Sequence, residues 1–559
     1  MKTRKTLIAF LAAYAIICIL LFSSINTYIS NGYQRAGAAV YLSDFLKEDL
    51  WNIRSLSNLQ GKMLEGHAHY KIFTGLSAWP PLQLMILTAT YLIAGPSHST
   101  TLLVSLAISL LTLLALYRFT KKAYNENIAL IATIFTALST YFFYESSAPL
   151  LENGLALFTI LCLDAFCDYL ENGNPKNFYK SATWFALGLL YKIQMIFLTP
   201  VLLILLIAKG DWKGFLTKRS NYKMILLSAL IAIAILSPLI ARESILATQG
   251  LSSFSERTIE RTKYITRTPA HLKGFVTAYD FEFENELPRY KIELIKHRYE
   301  LTKLQKLVVT LTALFYNWIL IPLIIVALYS IIKAKRISSR ELGMVLFIVF
   351  SAAFFTLHGL LPRYIIPSSI FLCIFAAKGA MRLPKKAITP AIAITLLVLT
   401  AQTGFFINKI SKGDHIQSMQ HDYESTAETI LSQAKGDFTI ITTRLYETAF
   451  FFISKDKQKR AYLELAPEKK AEFEKMLKTG YAEPIVGKHL PYPKDRPPVK
   501  YVIVHENLET GPIKGNSDYN LKDTLDKADW AKLAHTINSR WPNSKTWIYE
   551  VDTNLINSK

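Results

Sequence analysis

A chain that carries apolar stretches of about twenty residues in succession has few folds open to it, because each stretch suits a membrane-spanning helix. This chain does so from residue 7 to residue 407, and basic residues gather in every second short connection. Lys2, Arg4 and Lys5 precede the first stretch, and Arg118, Lys121 and Lys122 follow later. Next come Lys209, Lys213, Lys218, Arg219 and Lys223, then Lys333, Lys335, Arg336 and Arg340, and finally Lys378, Arg382, Lys385 and Lys386. Loops enriched in Lys and Arg face the cytoplasm. The alternation therefore predicts a cytoplasmic amino terminus in the cell (inner) membrane. It places Asp49, Glu152, Lys192 and Arg363 at or near the connections on the outer side.

Spans are read at residues 7–24, 101–116, 128–143, 154–169, 224–240, 307–332, 344–357, 364–377 and 387–407, with two more inside 181–208. A single helix over 181–208 would be about 42 Å long against a hydrocarbon core of roughly 30 Å, and Lys192 and Gln194 interrupt it. Two short helices turning at 192–194 resolve both conflicts. Residues 80–95 are apolar but short, and spanning there would export Arg118, Lys121 and Lys122. They read as an interfacial or re-entrant helix on the outer face. About eleven spans result, an odd number, so the carboxyl-terminal region is expected outside.

The predicted fold class is thus a polytopic α-helical membrane protein with a carboxyl-terminal soluble α/β domain. The membrane domain covers 1–411, with outer loops at 25–100 and 241–306, and the extracytoplasmic domain covers 412–559. Within the latter, 438–443, 501–506 and 546–551 read as strands, and 467–477 and 521–538 as helices.

Composition closes off other classes. The formal net charge of +21 would suit nucleic acid, but much of the excess sits in the cytoplasmic clusters, which suit anionic lipid headgroups. Membrane lipids, not nucleic acid, are the expected partners. Cys18, Cys162, Cys167 and Cys373 all lie in apolar segments without metal spacing, so they read as small buried hydrophobes and no disulfide is expected. The first apolar stretch lacks a convincing cleavage site around 23–30 and reads as an uncleaved helix.

Ionisable groups near membrane depth are costly, which makes them candidates for function. Glu48 and Asp49 open a segment with helical apolar spacing, where they also suit a helix start. Glu152 sits at the outer mouth of a span, Lys192 interrupts an apolar run, and Arg363 starts a span from outside; snorkelling competes as an explanation for both cations. His358 lies in the same mouth as Arg363, while His67 and His69 have no third ligand nearby. His505 and Glu506 end a strand pattern without a catalytic motif around them. An outer carboxylate with an Arg and a Lys suits group transfer from a phosphate. The cations hold the departing phosphate while the carboxylate deprotonates an incoming hydroxyl or amine.

The order of motifs resembles the GT-C glycosyltransferases, most closely those using polyprenyl-monophosphate sugars: protein O-mannosyltransferases and the lipid A aminoarabinose transferase. The matching segments are ED-x-W at 48–51, WPPLQLMILTATYLIAG at 79–95, 116–139, SSAPLLENGLALF at 146–158, FALGLLYKIQM at 185–195 and LPRYIIPSSIFLCIFAAKG at 361–379. The resemblance implies a catalytic base at Asp49 or its neighbour Glu48. It implies donor-phosphate ligands at Arg363, in an RY-x-x-P pattern with Tyr364, and at Lys192. Glu152, His358 and Trp79 would support them. Trp79-Pro80-Pro81 stands where the aminoarabinose enzyme has Lys-Pro-Pro, and no Trp-Trp-Asp signature of oligosaccharyltransferases is present. The implied activity is inverting transfer of one sugar from a polyprenyl-phosphate carrier to a glycan, lipid or protein acceptor on the outer face. No cofactor is expected and no divalent metal is required. The rivals are a non-catalytic flippase of lipid-linked sugars, which would place ionisable groups near the bilayer midplane, and a transferase or ligase using diphosphate-linked donors.

Overall fold

The computed structural model describes residues 2–22, 30–49, 80–146, 151–209, 219–248, 317–334, 336–358, 366–411, 422–443, 445–456, 460–466, 470–479, 497–505, 520–538 and 545–557, with a few single residues between them. The helical part begins with α1 (Lys2–Phe22), α2 (Ser30–Asp49), α3 (Leu82–Ala94), α4 (His98–Ala123), α5 (Glu126–Ala137), α6 (Thr140–Glu145) and α7 (Glu152–Asn172). It continues with α8 (Pro175–Tyr191), α9 (Leu198–Lys209), α10 (Arg219–Thr248), α11 (Ile321–Ala334), α12 (Ser339–His358), α13 (Ile366–Ala380) and α14 (Lys385–Ser411). Among the described residues, five helices are long and apolar enough to cross a membrane: those within α1, α4, α7, α10 and α14. With the shorter apolar helices α3, α5, α11 and α13 beside them, the chain is a multi-pass membrane protein. The outer loop read at 241–306 lies outside the described residues beyond Thr248.

Helix boundaries follow local chemistry. Ser97 caps α4 by accepting from the Thr100 amide at 3.0 Å, and Asn125 caps α5 by accepting from the Ile128 amide at 3.0 Å. Asn174 does the same for α8, with Pro175 at its first position. Gly173, at φ +65°, closes α7 in the left-handed conformation.

Two breaks matter for function. The span expected over 128–143 is divided: α5 ends, Ser139 turns extended with its hydroxyl donating to the Thr136 carbonyl at 2.8 Å, and α6 begins. The break expected at 192–194 is present. Lys192 is extended, at φ −157° and ψ 127°, between α8 and a 3-10 turn over Ile193–Phe197. That turn folds back on Gly188, where a Cβ would lie 2.7 Å from Met195 Cγ, so a larger residue would have to displace the Met195 side chain.

One end of the helical bundle is a network of ion pairs drawn from three of the basic clusters. Lys122 of α4 pairs with Asp164 at 2.7 Å and Asp168 at 2.8 Å on α7. Arg340 of α12 reaches Glu171 at 2.6 Å, Asp164 at 3.2 Å and also Asp168. Lys378 of α13 pairs with Glu341 at 2.5 Å. The start of α1 lies at this end too, since Leu7 packs with Tyr117 and Ala129.

The carboxyl-terminal part contains α15 (Tyr423–Gln433), β1 (Phe438–Thr442), α16 (Leu445–Lys455), β2 (Ala461–Leu465), α17 (Lys470–Thr479), β3 (Val499–His505), α18 (Leu521–Asp526), β4 (Ala531–Asn538) and β5 (Lys545–Val551). The sheet order is β2-β1-β3-β5-β4, parallel across β2, β1 and β3 and antiparallel from β3 to β5 and β4. Side chains alternate between its faces. Phe438, Ile440, Tyr501, Ile503 and Ile548 pack toward α15 and α16, while Ile441, Val502, Val504 and Tyr549 pack toward α17 and α18.

The helix expected over 521–538 is corrected. Only Leu521–Asp526 is helical, and Ala531–Asn538 pairs with β5 as an edge strand. Its apolar spacing imitates a helix, but the unpaired edge of β5 supplies hydrogen bonds that an isolated short helix lacks. The cluster on the first face of the sheet continues into α2 through Ala36, Ala38, Ala39, Val40 and Tyr41, and into α3 through Leu84, Leu87 and Tyr91.

Candidate functional site

The bundle end opposite the ion-pair network gathers charge in a different way. Because α7 runs from Glu152 toward that network, its first residue lies at the far end, as does Lys192 at the close of α8. Lys192 Nζ approaches Glu152 Oε1 to 2.5 Å, with side chains 4% and 2% exposed. The second Glu152 oxygen accepts from the Leu151 amide at 2.9 Å, so the carboxylate also serves the helix start. Glu145, the last residue of α6, accepts from the Asn153 amide at 3.2 Å. Asn153 in turn donates to Ser109 at 2.8 Å and to the Phe142 carbonyl at 3.3 Å, which ties α4, α6 and α7 together. Tyr14 of α1 reaches Ser146 at 2.8 Å beside them.

Arg35, on the first turns of α2, completes the group. It is 4% exposed, and together with Glu145 and Glu152 it acts electrostatically on the Tyr191 hydroxyl. Two cations and two carboxylates thus meet out of water. Burying four charges carries a large desolvation cost, and an ion pair only partly offsets it. Charged groups retained under that cost make this end of the bundle the candidate site.

Of the residues singled out by the sequence, Glu152 and Lys192 are brought into direct contact. Glu48 and Asp49 form the last turn of α2, about 21 Å along the helix from Arg35 at 1.5 Å per residue. Their side chains lie outside what the structure describes. His358 ends α12, whose first turn is in the ion-pair network, so it belongs to the same bundle end as Glu152. Arg363, Tyr364 and Trp79 lie outside the described residues. His505 is buried in the sheet domain with its ring 3.2 Å from the Thr443 hydroxyl, remote in sequence from every other candidate.

Arg35, Glu145 and Tyr191 were missed. Arg35 falls in a polar stretch without apolar periodicity, and Glu145 closes an expected span. The one available signal was that Tyr191 precedes the lysine of the GLLYK segment at 188–192.

Comparison with known proteins agrees with this architecture. Residues 78–241 match the family profile of dolichyl-phosphate-mannose-protein mannosyltransferase, a segment that holds Glu145, Glu152, Tyr191 and Lys192. No match is found among curated protein sequences. The structure of ArnT from Cupriavidus metallidurans bound to undecaprenyl phosphate is similar along 97% of both chains, with 11% identity and a TM-score of 0.54. The apo form of that protein is similar along 99% of both chains, with the same identity and TM-score. An apo oligosaccharyltransferase from Archaeoglobus fulgidus gives 12% identity and a TM-score of 0.47, over 90% of this chain and 70% of that one. The chain thus shares the fold of ArnT along nearly its whole length, and residues 78–241 match the dolichyl-phosphate-mannose-protein mannosyltransferase profile, in line with the resemblance carried by its ordered motifs.

Proposed function

We propose that the protein is a GT-C membrane glycosyltransferase that moves a single sugar from a polyprenyl-phosphate carrier to an acceptor on the outer face of the cell membrane. The observation that carries this reading is the buried Glu152–Lys192 pair at a helix break, inside a fold shared with a protein solved with undecaprenyl phosphate. In the reaction, Asp49 or Glu48 takes the proton of the acceptor hydroxyl or amine. The acceptor atom bonds to the anomeric carbon from the face opposite the phosphate. The carbon–oxygen bond to phosphate breaks, its electron pair leaving with the phosphate, and the sugar inverts. Arg363 and Lys192 stabilise that charge, so the step needs no divalent metal. Lys192 donates to Glu152, and because an ammonium carries three N–H donors this pairing by itself is compatible with a phosphate contact. Glu152 then serves to hold the ammonium in place at the mouth.

Purified protein in proteoliposomes with a polyprenyl-phosphate sugar tests the reading through the free polyprenyl phosphate released. Release that requires an acceptor is expected. Movement of the intact lipid between leaflets without release would instead establish a flippase, and release seen only with a diphosphate-linked donor would establish the other transferase class.

A further inference from the structure

One buried polar atom at the site end lacks a partner. Tyr191 is 1% exposed, and its hydroxyl makes no hydrogen bond among the described residues. Buried polar groups are almost always paired, so an orphan of this kind calls for an explanation. The ring is not loosely placed. It lies against the start of α7 at Gly154, where a Cβ would come within 2.3 Å of the ring and 2.6 Å of the hydroxyl oxygen, so any larger residue would expel it. Phe158 packs against the ring as well, with ring centroids 5.5 Å apart. The fold therefore fixes an unpaired hydroxyl beside Glu152 and within electrostatic reach of Arg35 and Glu145.

The surroundings indicate what it awaits. Arg35 and Lys192 balance Glu145 and Glu152 in charge, so beyond the Lys192 contact to phosphate the group does not select its ligand by net charge. What they do offer is carboxylate oxygens that accept and a phenol that donates, which suits a neutral molecule bearing hydroxyl groups. We infer that the Tyr191 hydroxyl is a substrate-binding donor for a hydroxyl oxygen of the uncharged sugar on the lipid carrier, with a neighbouring carboxylate accepting that hydroxyl's proton. The inference rests on the transferase reading and deepens it by seating the sugar at the mouth between α7 and α8. Sites built to hydrogen-bond a substrate hydroxyl discriminate strongly, because an absent partner leaves their own groups unpaired.

Tyr191→Phe removes the hydroxyl and leaves the ring on Gly154. Affinities are measured for dolichyl phosphate mannose and for dolichyl phosphate alone, with thermal unfolding of the ligand-free protein alongside. The wild type is expected to prefer the mannose-bearing lipid. In the variant that preference falls roughly tenfold, the value of one good hydrogen bond, while affinity for bare dolichyl phosphate stays the same. Unfolding of the free variant is unchanged or later, since no internal bond is lost. An unchanged preference overturns the inference, as does an equal loss for both lipids, which would put the bonded oxygen on phosphate. Earlier unfolding would mean that the hydroxyl serves the fold. A wild type that binds neither lipid defeats the transferase reading as well; binding of both with an unaltered preference in the variant defeats the sugar seat alone.

Discussion

The two ends of the helical bundle use the same residue types to opposite effect. At one end Lys122 and Arg340 share Asp164 and Asp168, and Arg340 also reaches Glu171; these side chains are 18%, 26% and 48% exposed. Water reaches these carboxylates, and two cations serve them jointly. At the other end Glu152 and Lys192 are 2% and 4% exposed and meet at 2.5 Å, next to a tyrosine hydroxyl with no hydrogen-bond partner among the described residues. The first arrangement clips helices together and tolerates loss of a member. The second is stable only with its members present, and it retains unmet bonding capacity. The difference separates a fastening from a candidate site, although both are clusters of charge.

Substitutions can break or sharpen that contrast. The largest effect is expected from Asp49→Asn, which removes the proposed proton acceptor: turnover should drop by roughly 10²–10⁴-fold, with affinity for the lipid donor retained. If turnover instead survives and Glu48→Gln abolishes it, the base is one residue earlier.

Next is Lys192→Met, which strands the Glu152 carboxylate out of water at a cost of about 3–5 kcal/mol. Lys122→Met at the opposite end should cost about 1 kcal/mol or less, because its carboxylates are partly hydrated and keep Arg340. Thermal unfolding in detergent compares the two, and equal losses would erase the distinction between the ends. Adding Glu152→Gln to Lys192→Met should restore part of the stability, the mark of a coupled pair.

Arg363→Lys keeps the charge and loses the planar fork. Charge-assisted bonds of about 1.5–3 kcal/mol to phosphate are at stake, so donor affinity should weaken roughly tenfold to a hundredfold. Unchanged affinity would leave Arg363 as an interfacial anchor. The smallest effect belongs to Lys121→Ala. Its pair with Glu126 is 50% and 44% exposed, and the unfolding midpoint should not move measurably.

What the sequence disclosed tracks the range of the interactions involved. The break at Lys192 was legible because a charge in an apolar run is a local signal. Glu152 was legible as a residue, but its partner was not: forty positions separate the two, and only the packing of α7 against α8 joins them. Arg35 offered no signal, since its burial depends on α2 being covered from both sides. The strands at β1, β3 and β5 showed through their apolar runs. β4 did not, because an edge strand takes its conformation from its neighbour and not from its own pattern.

The alanine face of α2 has a practical consequence. Ala36, Ala38 and Ala39 have no exposed surface and share one cluster with Ala449, Phe450 and Ile453 of α16, so the helix bearing Arg35 and Asp49 rests on the α/β layer. Side chains this small let backbones approach closely and leave little slack to absorb a shift. A binder that tilts the sheet would drag α2 with it, gaining from outside the helical bundle a grip on the surroundings of Arg35. Cutting the chain between the two parts would forfeit that grip and uncover the apolar flank of α2.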